Sequence, residues 1–121
     1  MKIKRPEGWQ NVIPRLFSKD CKGLVEFVKE VFDAEGDFHQ QRPTELKIGD
    51  SVLMVSNAEV RGEYRSCLYV YVKDVEKVFN EASRKKITVI EKPLITPYGD
   101  KRAVFIDPWG NMWQVAEFQP D

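Results

Sequence analysis

Gln114 is the residue whose chemistry is hardest to explain by packing alone. It interrupts an apolar stretch near the end of the chain, DPWGNMWQVAEF at residues 107–118, which reads as a tight turn followed by a strand. A buried side-chain amide that lacks hydrogen-bond partners destabilises a fold by roughly 1–3 kcal/mol. Gln114 must therefore find partners inside a polar cavity or face solvent.

Side chains suited to nucleophilic or metal chemistry are few. Cys21 and Cys67 lack Cys-x-x-Cys spacing, and two thiols alone predict neither a zinc site nor a disulfide framework. We interpret them as reduced thiols that pack like small apolar side chains. The single histidine, His39, has no partner ligands in the pattern, which favours a surface or pocket-lining imidazole over a metal ligand.

The composition limits the classes of function. The chain has 121 residues, 42% of them hydrophobic, which suffices for a single domain with a core. Nineteen basic side chains balance 19 acidic ones, so no net field favours nucleic acid or an anionic membrane. The sequence shows neither an apolar run of about 18 residues nor a secretory leader pattern, and we expect a soluble, cytoplasmic protein.

The elements that must position these residues follow a regular order. Runs rich in apolar and β-branched residues predict strands, and apolar residues at helical spacing after Asp20 and Asp74 predict two capped helices. A polar connector, NAEVRGEYR, separates two halves. The predicted strands are NVIPRLFS (11–18), DFHQQ (37–41), TELKI (44–48), SVLMVS (51–56), SCLYVYV (66–72), ITVIEK (87–92), KRAVFI (101–106) and NMWQVAEF (111–118), and the helices lie near 20–33 and 74–85.

The two halves align with each other, which indicates an internal duplication. An offset of 54 residues superimposes the helix-capping Asp20 on Asp74 and the apolar positions around them. Each half predicts a strand, a helix and three further strands. The sequence therefore predicts two βαβββ modules, at about 10–57 and about 65–119, within one domain that spans residues 1–121.

Three segments carry a family resemblance: VIPRLFSKDCKGLVEFVKEVF, LYVYVKDVEKVFNEA and DPWGNMWQVAEF. They resemble the two strand-helix units and the closing turn and strand of the glyoxalase / bleomycin resistance protein / extradiol dioxygenase superfamily, also called vicinal oxygen chelate proteins. The resemblance implies an α+β fold whose two βαβββ modules form a curved, cup-shaped mixed sheet with two helices on the convex side. It also implies a homodimer, since related proteins commonly complete their cups between subunits.

Many members of that family hold a divalent metal between the first and last strands of each module. The resemblance places Ile13 and Leu53 at these positions in the first module, and Cys67 and Gln114 in the second. Isoleucine and leucine have no donor atom, whereas a hard divalent ion needs several oxygen or imidazole ligands together. We therefore expect no metal and no other cofactor.

Because side chains alternate along a strand, the metal positions that the resemblance implies also indicate which residues share the concave face. On or beside it we predict the ligand-binding residues Arg15, Phe17, Leu53, Cys67, Tyr69, Tyr71, Trp109, Met112 and Gln114. The opposite face is predicted to carry Val12, Leu16, Val52, Met54, Leu68, Val70, Val72, Trp113 and Val115. The mixed aromatic and polar character of the first set favours a small-molecule site. The alternative is a filled sheet in which Tyr69, Tyr71 and Gln114 bond one another.

Arg15 carries the sharpest prediction. An arginine in an apolar cup must be paired, and its planar guanidinium suits a carboxylate or carbonyl ligand. An ion pair with Glu45, Glu117 or Asp107 is the alternative. Trp109, in the turn, is placed to stack on a flat ligand or else packs under its loop.

Three functional classes remain at this point. The first is a metal-independent binding protein of the bleomycin-resistance type, which holds a planar, partly apolar ligand with an anionic or carbonyl oxygen. The second is an enzyme, a lyase, isomerase or dioxygenase-like member with an atypical site, in which Cys67, Tyr69 or Gln114 performs acid/base work. The third is an interaction protein with a vestigial cup. The missing metal ligands favour the first class, with a small molecule as partner.

Overall fold

The computed structural model of the chain describes residues 3–119, which divide into two compact units. Unit one runs to Lys29 and resumes over Asp33–Tyr64, and unit two comprises Glu30–Phe32 and the chain from Arg65 onward. The elements in chain order are β1 (Arg15–Ser18), α1 (Cys21–Phe32), β2 (Thr44–Ile48), β3 (Ser51–Asn57), α2 (Ala58–Arg61), β4 (Cys67–Tyr71), α3 (Val75–Ser83), β5 (Thr88–Ile95), β6 (Lys101–Ile106) and β7 (Met112–Glu117).

α1 forms where its capping residue and apolar spacing predict it. The Asp20 carboxylate accepts a backbone N–H of the first turn at 3.1 Å, and the helix ends at Asp33, whose φ of 55° is left-handed. Its apolar side is buried. The last turn, Glu30–Phe32, belongs to unit two, where the Phe32 and Trp113 ring centroids are 4.7 Å apart.

The sheet of unit one has the strand order β1-β3-β2, with β1 parallel and β2 antiparallel to β3. Its register pairs Leu16 with Val55 and Leu46 with Leu53, and these four side chains are at most 5% exposed. They form the buried face of this sheet.

The predicted strand DFHQQ does not form. At this point the chain makes an isolated bridge between Glu35 and Lys47 and then runs irregularly to the start of β2. Gly36 follows this bridge with a φ of 144°, and a Cβ there would lie 2.3 Å from the carbonyl oxygen of Glu45, so the position requires glycine. The first half is thus βαββ followed by α2.

The sheet of unit two has the order β4-β7-β6-β5 and retains the predicted βαβββ sequence of elements. β4 is parallel to β7, and the other neighbours are antiparallel. α3 begins after Asp74, whose carboxylate accepts the N–H of Lys77 at 3.1 Å, and it contacts β5, β6 and β7. Phe105, Trp113 and Val115 are fully buried and form the centre of this unit's core.

The predicted fold class is confirmed: the chain is α+β, with two mixed sheets and the two main helices at the expected places. The placement of Val12 on a buried strand face is wrong, since Val12 precedes β1 and is 80% exposed. α2 forms within the segment expected to be an irregular connector. Over residues 3–119, each helix is too short or too polar to cross a membrane.

Candidate functional site

A pocket of about 540 Å³ lies in unit one and is called the unit-one pocket below. Strands β1 and β3 supply part of its lining, the turn from β1 into α1 a second part, and residues 38–43 a third. We call the last segment the 38–43 wall. The volume falls within the range of roughly 300–1,000 Å³ that is common for small-molecule sites.

Arg15 and Phe17 line this pocket from β1, where residues two positions apart share one face. The Nη2 of Arg15 donates to Ser56 Oγ at 2.8 Å, and the guanidinium carbon lies 5.1 Å from the centroid of the Phe17 ring. The parallel register aligns Phe17 with Ser56 and Arg15 with Met54. A hydroxyl and an aromatic ring thus orient the guanidinium.

Leu53 does not share this face, and its predicted placement beside Arg15 is wrong. The register pairs Leu53 with Leu46 on the buried face, where Leu53 is 5% exposed. A shift of one residue in register moves every side chain of a strand to the opposite face. Ser56, which the sequence did not single out, occupies the β3 position that reaches Arg15.

Positive charge dominates the lining of the unit-one pocket. The Asp20 carboxylate is engaged as the α1 cap, and the Lys19 ammonium lies 3.4 Å from Glu63. The chain as a whole is neutral, so the excess of positive charge is local and attracts anions to this pocket. The charged lining residues, with the carboxylate last, are Arg15, Lys19, Lys22, Arg42 and Asp20.

The 38–43 wall brings a histidine and an arginine to the pocket. The backbone N–H of His39 donates to Thr44 Oγ1 at 2.9 Å, and Thr44 is fully buried, which anchors the wall to β2. The Nη2 of Arg42 lies 3.1 Å from His39 Nε2. Because a guanidinium can only donate, this contact requires an unprotonated Nε2. His39 is thus a pocket-lining imidazole, one of the two positions that the sequence allowed.

Cys21 also lines the unit-one pocket. Its thiol donates to the carbonyl of Ser18 at 3.2 Å. Burial, and then the neighbouring Asp20 carboxylate, raise the pKa of the Cys21 thiol above its ordinary value. The protonated thiol is a weak nucleophile. The arrangement therefore suits binding of an anion better than covalent chemistry.

Tyr69 and Tyr71 form a second polar cluster, in unit two. Their hydroxyls donate to the same atom, Asp100 Oδ2, at 2.8 and 3.0 Å, and their rings meet edge to face with centroids 5.5 Å apart. Asp100 is 5% exposed. Burial, followed by hydrogen bonds to Tyr98 and Asp100, raises the pKa of Tyr69; the hydrogen bond to Asp100 is the main cause of the raised pKa of Tyr71.

Arg102 extends this cluster along β6. Its Nε and Nη2 donate to the two carboxylate oxygens of Glu91 at 2.7 and 3.1 Å, and its Nη1 donates to the Tyr98 hydroxyl at 2.7 Å. The sequence did not single out Asp100, Glu91 or Arg102. The available signal was the pair of tyrosines two positions apart on one strand face, which predicts a shared polar partner but not its identity.

Gln114 lies beside Tyr69 in the β4–β7 register and is half-exposed, whereas its neighbours Trp113 and Val115 are fully buried. The amide therefore faces away from the core of unit two. The Cys67 thiol lies 3.9 Å from the Gln114 side-chain oxygen.

Trp109 and Met112 complete the predicted set in unit two. Trp109 lies in the closing turn, where its backbone N–H donates to Asp107 Oδ1 at 2.9 Å. Met112 begins β7 and pairs with Cys67. Within the described residues, the lining of the unit-one pocket comes from unit one alone. Of the predicted ligand-binding residues, it contains Arg15 and Phe17.

The family model of the Glyoxalase/Bleomycin resistance protein/Dioxygenase superfamily matches residues 12–115. The chain belongs to this superfamily. None of the curated protein sequences matches the chain significantly.

Solved structures share the fold of this superfamily member at low sequence identity. TioX from Micromonospora sp. ML1 has a TM-score of 0.76 at 18% identity, over 89% of this chain and 98% of its own. A glyoxalase/bleomycin resistance protein/dioxygenase family enzyme from Burkholderia phytofirmans PsJN has a TM-score of 0.73 at 20% identity, over 85% and 94% of the two chains. The hypothetical protein SA1046 from S. aureus has a TM-score of 0.74 at 15% identity, over 89% and 93%.

The residues at the superfamily's metal positions do not fit a divalent ion. In unit one these positions hold Ile13, which precedes β1, and the buried Leu53, and neither has a donor atom. In unit two they hold Cys67 and Gln114, a thiol and a neutral amide. Among residues 3–119, no group of three or more His, Cys, Asp or Glu side chains is arranged to hold a metal.

Proposed function

We propose that this superfamily member is a small-molecule binding protein of the bleomycin-resistance type, which holds a planar, partly apolar ligand with an anionic oxygen and does so without a metal. The observation that carries the proposal is Arg15. Its guanidinium is oriented by the Ser56 hydroxyl and the Phe17 ring inside a pocket of ligand size. A preorganised guanidinium suits a carboxylate or related oxygen acceptor, because less side-chain entropy is lost on binding.

The aromatic residues of the unit-one pocket favour a ligand with a planar apolar part. Phe17 and Phe38 both contribute to the lining, and aromatic rings stack favourably on planar apolar groups. The basic residues of the lining favour an anion over a neutral or cationic molecule.

The contacts of the candidate catalytic residues favour binding over an enzymatic function. The Cys67 thiol has an amide oxygen as its neighbour, and a thiol needs a base or a positive charge to become a nucleophile. The Tyr69 hydroxyl donates to Asp100 and has a raised pKa, which opposes a role as general base. A homodimer and a cytoplasmic location stay predictions.

Calorimetric titration with naphthoate, a planar aromatic monocarboxylate, tests the proposal on chelator-treated protein. Arg15→Ala should weaken binding by roughly 1.5–3 kcal/mol, the scale of a hydrogen bond to a charged group, or about 10- to 150-fold in Kd. Arg15→Lys keeps the positive charge but loses the planar guanidinium, so its affinity for naphthoate should fall between those of the parent and of Arg15→Ala.

Arg84→Ala is the matched control, because Arg84 lies outside the pocket, is 77% exposed and pairs with Glu81 in the same helical region. It should bind naphthoate as the parent does. Equal affinities of the parent and Arg15→Ala, with both proteins folded, would contradict the proposal. A requirement for added divalent metal would contradict its metal-independent part.

A further inference from the structure

The 38–43 wall gives the unit-one pocket a group that can change charge near neutral pH. Histidine is the side chain that ordinarily exchanges its proton between about pH 5 and 8, and His39 is the one histidine of the chain. The wall holds it through the buried Thr44, so its imidazole stays at the pocket lining. Any proton that the imidazole gains is therefore added to an already basic lining.

The contact between His39 and Arg42 uses the lone pair of one imidazole nitrogen. Arg42 donates to Nε2 at 3.1 Å, which needs the nitrogen lone pair. Protonation of Nε2 would replace this hydrogen bond by a repulsion between two cations. An anion placed against both side chains reverses that preference, because each can then donate to the anion.

The other charged groups of the pocket lining are mostly cationic. Arg15 enters from β1, Lys22 lies at the start of α1, and Lys19, just before α1, is paired with Glu63 at 3.4 Å. The one carboxylate of the lining, Asp20, already accepts the Gly23 N–H as the α1 cap. Within the lining, further negative charge at the 38–43 wall would therefore come chiefly from a ligand.

We propose that the unit-one pocket selects an organic dianion, and that His39 takes up a proton from solvent when the dianion binds. One anionic group is held at Arg15, and the second lies at the 38–43 wall, where His39 and Arg42 both donate to it. The inference rests on the proposed function, since it specifies the ligand class and the pH response of the same pocket. A monoanion would bind at Arg15 and leave the His39–Arg42 contact unchanged.

The test compares naphthalene dicarboxylate with naphthoate by calorimetry at about pH 6 and about pH 8, a range in which histidine titrates and aromatic carboxylates stay ionised. The parent protein should bind the dicarboxylate more tightly, and about five- to tenfold more tightly at the lower pH. Titrations in buffers of different ionisation enthalpy should show net proton uptake with the dicarboxylate. Naphthoate affinity should change less than about twofold across the same range.

His39→Gln keeps a polar side chain that does not titrate. This variant should lose the proton uptake and the pH response with the dicarboxylate. The imidazole proton signals of the single histidine, followed by NMR, should move toward the protonated position when the dicarboxylate binds.

The outcomes separate this inference from the proposed function. If naphthoate binds through Arg15 but the dicarboxylate binds no better and without proton uptake, the inference is overturned and the proposed function stands. Retention of the full pH response in a folded His39→Gln variant also overturns the inference. Failure of both probes to bind the folded parent overturns the inference and the proposed function together.

Discussion

Replacing Asp107 by asparagine tests how the closing turn of unit two is held together. Asp107 is 4% exposed, and its two carboxylate oxygens accept five contacts. Oδ1 accepts the backbone N–H groups of Trp109 and Asn111 at 2.9 and 3.0 Å. Oδ2 accepts the Trp113 indole N–H at 2.8 Å, and the Asn111 amide lies 3.4 and 3.1 Å from Oδ1 and Oδ2.

Asparagine keeps the shape of Asp107 but turns one acceptor into a donor. If the new NH₂ group takes the place of Oδ2, this donor faces another donor, the indole N–H of the fully buried Trp113. With the NH₂ in place of Oδ1, it faces the backbone N–H groups of Trp109 and Asn111 instead. Since each buried donor without an acceptor costs about 1–3 kcal/mol, the free energy of unfolding should fall by about 2–4 kcal/mol.

Urea denaturation followed by tryptophan fluorescence measures this loss. For a slope of about 2 kcal/mol/M, the midpoint should fall by about 1–2 M, with the slope itself unchanged. Asp50→Asn is the matched control, because Asp50 is exposed in the turn before β3 and should change stability by less than about 0.5 kcal/mol. If Asp107→Asn were as stable as Asp50→Asn, the carboxylate would not be the acceptor that holds this turn.

Two further predictions concern backbone and tyrosine effects. Gly36→Ala should destabilise the protein by about 1–3 kcal/mol, because the position combines a positive φ with the Glu45 carbonyl oxygen, 2.3 Å from the new Cβ. Gly49→Ala is the control and should lose less stability, because Gly49 has a φ of 58° but no atom within 4 Å of the added Cβ. Equal losses of the two variants in thermal melts would refute the clash. The raised pKa of Tyr71 means that the folded chain keeps a proton that the unfolded chain loses above about pH 10. Its contribution is therefore complete below about pH 10 and declines at higher pH. Urea titrations should show a shallower alkaline decline for Tyr71→Phe than for the parent, and parallel declines would argue against the Asp100 hydrogen bond.

Local signals predicted the helices because they depend on residues close in sequence. Asp20 and Asp74 cap α1 and α3 through N–H groups three residues away, and the apolar spacing that follows decides which side is buried. The order of elements in unit two followed from the same kind of pattern.

The candidate site was less predictable because it depends on contacts between distant segments. Leu53 was placed on the wrong face because the parallel register of β1 and β3 is set by packing, not by the pattern within either strand. The segment after Gly36 reads as a strand, yet it is irregular and lines the pocket as the 38–43 wall. Asp100 meets Tyr69 across 31 residues, a separation that no local pattern encodes.

The last turn of α1 limits how far the two halves of this chain can be handled as interchangeable building blocks. A fragment that began at Arg65 would lack Phe32, whose ring covers Trp113, and would lose the Glu30 partner of Lys85. Expressing the second half alone, or exchanging it singly by gene shuffling with a cut in the connector, would therefore remove part of the core of unit two. The boundary between the two units therefore does not coincide with the connector, since unit two needs three residues that precede Arg65 by more than thirty positions.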